Sequence, residues 1–227
     1  MLCRMNIILD LDETLFQSIL KEDDKSPETT LKHETIIVAD QKDPINKYAE
    51  YNVYLRPYLE TFLDYLFDNF NVGVITYGGQ NYAYSIVRNI LQKTKHRKLS
   101  FLFYESYRRH AKENGYHEHK DLKYIFERIK PLNVYPCNTL LIDNDKHNTD
   151  GNLTNSIRVP DFMPVRGKDR MHIIKYEEDK TLLGVIEYLE KIRKDWEAAG
   201  KCTHKTLYSG CRSLKQPLFE FIQKVRN

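Results

Sequence analysis

Nowhere does the sequence carry an apolar run approaching the roughly 18 residues that a membrane span needs, so no membrane-spanning segment is expected. Arg4 and then a short apolar stretch stand where a secretory signal would have a long one, and a cytosolic or nuclear protein is expected rather than a secreted one. Cysteine is scarce. The four, Cys3, Cys137, Cys202 and Cys211, are scattered and form no Cys-x2-Cys pair. That argues against a zinc site and a disulfide framework and leaves buried or reduced thiols as the expectation. The eight histidines are equally dispersed apart from His117 and His119. On a strand that pair has the spacing to ligate one metal, but with no third ligand nearby ordinary surface histidines are the favoured reading. An excess of one charge is lacking too: the net charge is +3, which predicts no strongly polyanion-binding surface. The basic clusters at Lys93 to Lys98 and Arg108-Arg109 are expected to be solvated. There are no internal repeats, and no break in composition marks a second domain.

What is present suits a soluble globular protein: 41 % hydrophobic and 30 % charged residues over 227 positions, enough for one domain with a real core. The informative stretch is Ile7-Ile8-Leu9-Asp10-Leu11-Asp12-Glu13-Thr14-Leu15. Its apolar part is too short for a stable helix and reads as a buried strand that delivers its last side chains to a surface. Side chains repeat every second residue along an extended chain, so the carboxylates of Asp10 and Asp12 leave on one side. They repel each other unless a metal or a shared proton compensates. Mg2+, a hard cation that prefers oxygen ligands, would resolve that conflict and attract a phosphate. A bare Asp-x-Asp more often ends an ordinary strand in a solvated acidic turn, so the rest of the chain has to decide.

Gln17 to Pro27 reads as an exposed loop, and Glu34 to Ala39 and Tyr51 to Leu55 as short strands of a hairpin with Asp43-Pro44 in its connection. Inserted after the first core strand, that hairpin would project over its carboxyl end, either as a flap that limits water and selects substrate or as an extension of the sheet. Arg56-Pro57 starts a helix with Tyr58, Leu59, Phe62, Leu63, Leu66 and Phe67 at helical spacing. Asn71 to Thr76 is a second core strand, and Tyr77-Gly78-Gly79 permits a tight turn into a helix from about Gln80 to Gln92. Thr76 suits a helix cap and a phosphate ligand equally. Phe101 to Glu105, Thr139 to Asp145 and Asn155 to Pro160 read as further strands, and Leu182 to Ile192 and about Leu214 to Val225 as helices. This alternation predicts an α/β fold, a three-layer doubly wound, mostly parallel sheet with small β-hairpin insertions and its site at the carboxyl edge. The expected organisation is one domain over 1–194, with a flap at about 34–56 and an insertion at about 100–119, then an extension over 195–227 whose helix packs on the body.

The opening stretch resembles the Asp-x-Asp-x-Thr signature of the haloacid dehalogenase superfamily. Its wording, Leu-Asp-Leu-Asp-Glu-Thr-Leu, resembles the NLI-interacting-factor-like branch, typified by small phosphatases of the RNA polymerase II carboxy-terminal domain. Arg56-Pro57, Thr76 and Tyr82-Ala83 match that branch, as does Asp143-Asn144 at the end of an apolar strand. His119-Lys120-Asp121-Leu122 matches its Lys-Asp-Leu at a helix start, with Lys123 as the fallback, and Tyr107 to His119 resembles the turn-and-strand insertion that leads to it. The chain departs at Tyr77-Gly78-Gly79 and at Phe103-Tyr104-Glu105-Ser106, where the branch has Phe-Arg-Glu-Ser. The loss of that cation weakens the inference to the same phosphopeptide.

The resemblance, covering Ile7 to Ile192, implies a phosphatase that works through an aspartyl-phosphate. Asp10 would be the nucleophile and Asp12 the general acid and then base. Asp10, the backbone carbonyl of Asp12, and Asp143 would hold Mg2+, with Asn144 placing the metal shell. Thr76 and Lys120 would stabilise the phosphoryl oxygens. The implied substrate is a phosphoprotein or phosphopeptide carrying phosphoserine or phosphothreonine. The alternatives are a small metabolite, a nucleic-acid end, which is not favoured, and a binding protein without chemistry; the last should have lost an acid, whereas Asp10, Asp12 and Asp143 are all present. The abundance of Lys, Asn, Ile and Tyr suits an AT-rich genome, and large DNA viruses encode relatives of this branch.

Overall fold

In the computed structural model, which describes residues 4–24, 31–39, 48–128, 134–165 and 176–198, strand β1 (Asn6–Leu9) is wholly buried. Beyond it run β2 (Phe16–Leu20), β3 (His33–Ala39), β4 (Tyr48–Leu55), helix α1 (Leu59–Asn69) and β5 (Asn71–Ile75). Helix α2 (Gln80–Ile86) continues as a π-turn over Val87–Leu91, and then come β6 (Phe101–Phe103), α3 (Ser106–Glu113) and α4 (Leu122–Arg128). The last described elements are β7 (Thr139–Asp143), α5 (Lys146–Asp150), β8 (Ser156–Arg158), a short turn at Tyr176–Glu178 and α6 (Thr181–Ala198).

The main sheet has the order β6-β5-β1-β7-β8, and all of its pairings are parallel. This is the expected α/β architecture. Period-two alternation along β1 sends its side chains into two separate layers. Ile7 and Leu9 join the apolar cluster that includes Leu63 of α1, Ile86 of α2 and Val185 of α6. Ile8 joins the opposite one, with Tyr107 of α3 and Leu122 and Ile125 of α4. Each such buried side chain contributes roughly 1.5–3 kcal/mol relative to exposure.

Between β1 and α1 lies a second, antiparallel sheet in the order β2-β4-β3. It is not an edge extension of the main sheet, and it has one strand more than the expected hairpin. Gln17 to Leu20, expected as loop, continue from Phe16 as a strand that pairs with Tyr51 to Leu55, because Phe16 is buried and the partners on β4 satisfy the backbone that Gln17 and Ser18 would otherwise leave to water. Asp43-Pro44 falls outside the described residues.

Tyr107 to His119 also differs from its expected turn and strand. Ser106–Glu113 is helical, since Tyr107 and Ala111, four apart, bury on one face while the basic residues between them stay outside. The basic cluster after α2 is only partly solvated. Arg97 is buried and its guanidinium donates to Glu60 Oε2 at 2.8 Å and Asp64 Oδ1 at 2.6 Å, tying that connection to α1.

Arg56 makes a comparable tie across the molecule. Its Nη1 donates to the Thr14 carbonyl at 2.8 Å and its Nε to Asp179 Oδ2 at 2.9 Å, just before α6. Helix α6 runs past the expected boundary at residue 194, and its Trp196 indole donates to the Cys137 carbonyl at 3.1 Å. Cys137 is disulfide-bonded, unlike the expected thiols. Cys3, Cys202, Cys211 and the expected helix at Leu214 to Val225 lie outside the described residues.

Candidate active site

The centre of the site is built where β1 and β7 end side by side. Leu9 pairs with Ile142, so Asp10 and Asp143 leave the sheet at the same carboxyl edge. Glu13 then adopts a left-handed backbone, φ 61°, a conformation uncommon outside glycine. The bend returns Thr14 to its starting point: the hydroxyl lies 2.7 Å from Asp10 Oδ2 and 2.9 Å from Asn144 Oδ1. It also accepts the Asn144 N–H at 3.1 Å, which locks the turn after β1 to the turn after β7.

Lys120 comes in from the loop before α4 with its side chain 1 % exposed. Its ammonium donates to Asp10 Oδ1, and to Asp143 Oδ2 at 2.8 Å. Burial opposes its charge, but the carboxylates of Asp10 and Asp143 outweigh that and hold its pKa up. Burial, reinforced by the charge on Asp10, pushes Asp143 up in turn. Two carboxylates against one ammonium leave an excess negative charge in a buried place. Lys123, the fallback, is exposed and faces Glu127 instead.

Asp12 points elsewhere, toward the second sheet. Tyr82 of α2 donates its hydroxyl to Asp12 Oδ1 and lies 2.5 Å from Ser18 Oγ of β2. Burial raises the Asp12 pKa to about 6, against the lowering effect of the Tyr82 hydrogen bond, with the charge of Asp10 adding to the rise. Gly78 makes room for that tyrosine: a Cβ there would stand 2.5 Å from Tyr82 Cδ1. Thr76 is buried just past the end of β5, and its hydroxyl oxygen accepts the Gly78 N–H at 3.0 Å. Asp145 caps α5 through the His147 N–H at 2.7 Å and donates its own N–H to Asp143 Oδ1 at 2.8 Å.

The structure thus brings Asp10, Asp143, Lys120 and Asn144 into one connected group, with Asp12 and Thr76 on its flanks. Three contacts escaped the sequence reading. Thr14 and Tyr82 each stood inside a recognised pattern without a role attached. Asn148, whose Nδ2 donates to Asp143 Oδ2 at 3.0 Å, carries no sequence signal. His117 and His119 stack ring on ring at 4.9 Å. Among the described residues no three His, Cys, Asp or Glu side chains form a metal cage. Mg2+ does not require one, because it is commonly held by one or two carboxylates with waters and substrate phosphate. The oxygens of Asp10 and Asp143, the Asn144 amide and the Asp12 carbonyl have the donor chemistry for it, and the excess negative charge favours a cation.

Known proteins place this geometry in context. The family model described as NLI interacting factor-like phosphatase matches residues 5–199. A protein of Invertebrate iridescent virus 6 named CTD phosphatase-like protein 355R is 31% identical over 160 residues, which covers 69% of this chain and 85% of that protein. Its namesake in Invertebrate iridescent virus 3 is 30% identical over 135 residues, covering 56% of this chain and 69% of that one. Among solved structures, Fcp1, an essential RNA polymerase II CTD phosphatase, superposes with a TM-score of 0.64 at 15% identity, over 97% of this chain and 70% of that chain. The fission yeast Fcp1 bound to beryllium fluoride gives 0.54 at 15% identity, over 98% and 62%. At such identities the structures speak for the fold alone; the family model, spanning β1 through α6, shows that the chain belongs to the NLI interacting factor-like phosphatases.

Proposed function

We propose that this protein is a Mg2+-dependent phosphomonoester hydrolase that works through an aspartyl-phosphate and acts on phosphoserine or phosphothreonine in a protein. One observation carries the reading: a single buried ammonium, Lys120, joins the carboxylates of Asp10 and Asp143 at the carboxyl edge of a parallel sheet. That is where α/β sheets hold their ligands.

In the first half-reaction a carboxylate oxygen of Asp10 attacks phosphorus and the bond to the ester oxygen breaks. Asp12 gives that oxygen a proton, a role that suits a carboxyl raised to about 6. In the second, Asp12 takes a proton from water, which attacks the phosphorus of the aspartyl-phosphate and releases inorganic phosphate and the Asp10 carboxylate. Thr14 and Lys120 fix the orientation of Asp10 in both, and Lys120 and Thr76 offer donors to the phosphoryl oxygens. Bound Mg2+, held by Asp10, Asp143, the Asp12 carbonyl and Asn144, supplies the positive charge that lets two anions approach.

The test is phosphate release from an aryl phosphate with Mg2+ and with EDTA. Wild type turns over only with the metal, and Asp10→Asn abolishes turnover while leaving the circular dichroism spectrum unchanged. Near-normal activity of Asp10→Asn would overturn the mechanism. A panel of phosphopeptides, nucleotides and phosphorylated DNA ends then ranks substrates, with the phosphopeptides expected first.

A further inference from the structure

Helix α3 carries Arg108, Arg109 and Lys112 exposed on its surface. Arg108 lies against the ring of Tyr77, its guanidinium carbon 5.7 Å from the centroid. The same ring stands 5.1 Å from the Lys120 ammonium. Tyr77 is therefore a shared wall between the buried cation of the site and an exposed cation outside it, and the two are no farther apart than those distances laid end to end.

The wall is anchored. The Tyr77 hydroxyl donates to Asn148 Oδ1 at 2.9 Å, and the Asn148 amide in turn donates to Asp143. Among the described residues Arg108 is paired across the surface, with Glu118 Oε2 at 2.9 Å, and Glu118 is shared with Lys112. Both partners of the Arg108 pair are about half exposed, and exposed pairs of this kind are worth roughly 0–1 kcal/mol. An incoming anion displaces Glu118 at little cost, and a guanidinium receives carboxylate or phosphate with two parallel hydrogen bonds.

We infer that Arg108, seated on Tyr77 beside the active site, is an anion subsite that takes an acidic side chain two residues from the phosphoester being cleaved. The spacing follows from chain geometry. In an extended peptide the next side chain points away, whereas the one after it returns to the same side about 7 Å along. That step lies below the upper bound that the two distances to the Tyr77 ring set on the separation of Lys120 and Arg108. The acidic side chain is a carboxylate or a second phosphate, both of which suit the fork. The inference rests on the hydrolase reading above.

The experiment uses peptides of one sequence with a single phosphoserine and, two residues to either side, Ala, Asp or a non-hydrolysable phosphonate analogue of phosphoserine. Wild type with Mg2+ should show kcat/KM about tenfold higher for an anionic peptide than for the Ala peptide. The gain should lie in KM and shrink as salt is raised. The Asp and phosphonate arms tell which anion is preferred. Arg108→Ala should bring the peptides level, and Glu118→Gln, which removes the competing carboxylate, should widen the preference. Equal kcat/KM for all peptides in wild type overturns the subsite, as does a preference that survives Arg108→Ala undiminished. Aryl phosphate is the reference: if wild type turns over neither it nor any peptide, the hydrolase reading falls and takes the subsite with it.

Discussion

Replacing Lys120 with Met keeps most of the side-chain volume and removes only the charge that two buried carboxylates share. Asp10 is 7 % exposed and Asp143 0 %, so water cannot take over. Removing one partner of a buried ion pair costs roughly 3–5 kcal/mol. Here the lower end applies, because Asp10 keeps Thr14 and Asp143 keeps the Asn148 amide and the Asp145 N–H. A loss of about 3 kcal/mol in a chain of this size lowers Tm by about 6–12 °C. The measurement is a thermal melt in EDTA, which keeps added metal from standing in for the ammonium. Lys120→Met paired with Asp143→Asn removes one surplus anion while Asn still offers an oxygen to the Asp145 N–H. That double variant should recover about 1 kcal/mol, or roughly 2–4 °C, without regaining turnover of an aryl phosphate. A Lys120→Met protein that melts within about 1 °C of wild type, or a double variant that melts lower still, refutes this charge balance.

Other consequences can be measured in parallel. Tyr82→Phe removes the donor that holds Asp12, so turnover of a phosphoserine peptide should fall about tenfold, and that of p-nitrophenyl phosphate much less, because that leaving group needs little protonation. Arg56→Met removes the donor to the Thr14 carbonyl and the cation beside Asp179, which keeps the Thr181 N–H, and chemical denaturation should show a loss of about 3 kcal/mol. Asp64→Asn tests a pH effect: the hydrogen bond from Arg97 holds the Asp64 carboxyl below its ordinary 3.8, so its stabilising contribution is present above that value and lost as pH falls through the depressed one. Because Asp64 is half exposed, the gap between wild type and variant should stay under about 1 kcal/mol at pH 7 and close in acid.

The elements that the sequence announced best are those whose signal is local. β1, β5 and β7 are short apolar runs bounded by charge or turn residues, and buried parallel strands look like that in any context. Asp10 and Asp143 could be expected to meet because parallel strands deliver their ends to one edge. β2 was lost because Gln17 and Ser18 dilute its apolar alternation, and its pairing with Tyr51 to Leu55 is decided by residues more than thirty positions away. α3 was lost because only Tyr107 and Ala111 mark its buried face among charges. The burial of Arg97 depends on Glu60 and Asp64 from another helix, and no pattern within Lys93 to Lys98 encodes that. Contacts such as Tyr82 with Asp12 need two separate turns to be placed first.

The position of β1 also governs how the polypeptide reaches this state. Asn6 aligns with Asn71 on one side and with Thr139 on the other, so β1 is synthesised well before either of its neighbours and must wait for both. Such distant pairing slows folding and exposes apolar backbone meanwhile. Asp10 therefore acquires its full surroundings only after the segment through Asp143 has been synthesised, and a chain halted before Lys120 would hold the strand that carries Asp10 but neither the ammonium nor the second carboxylate that meet it there.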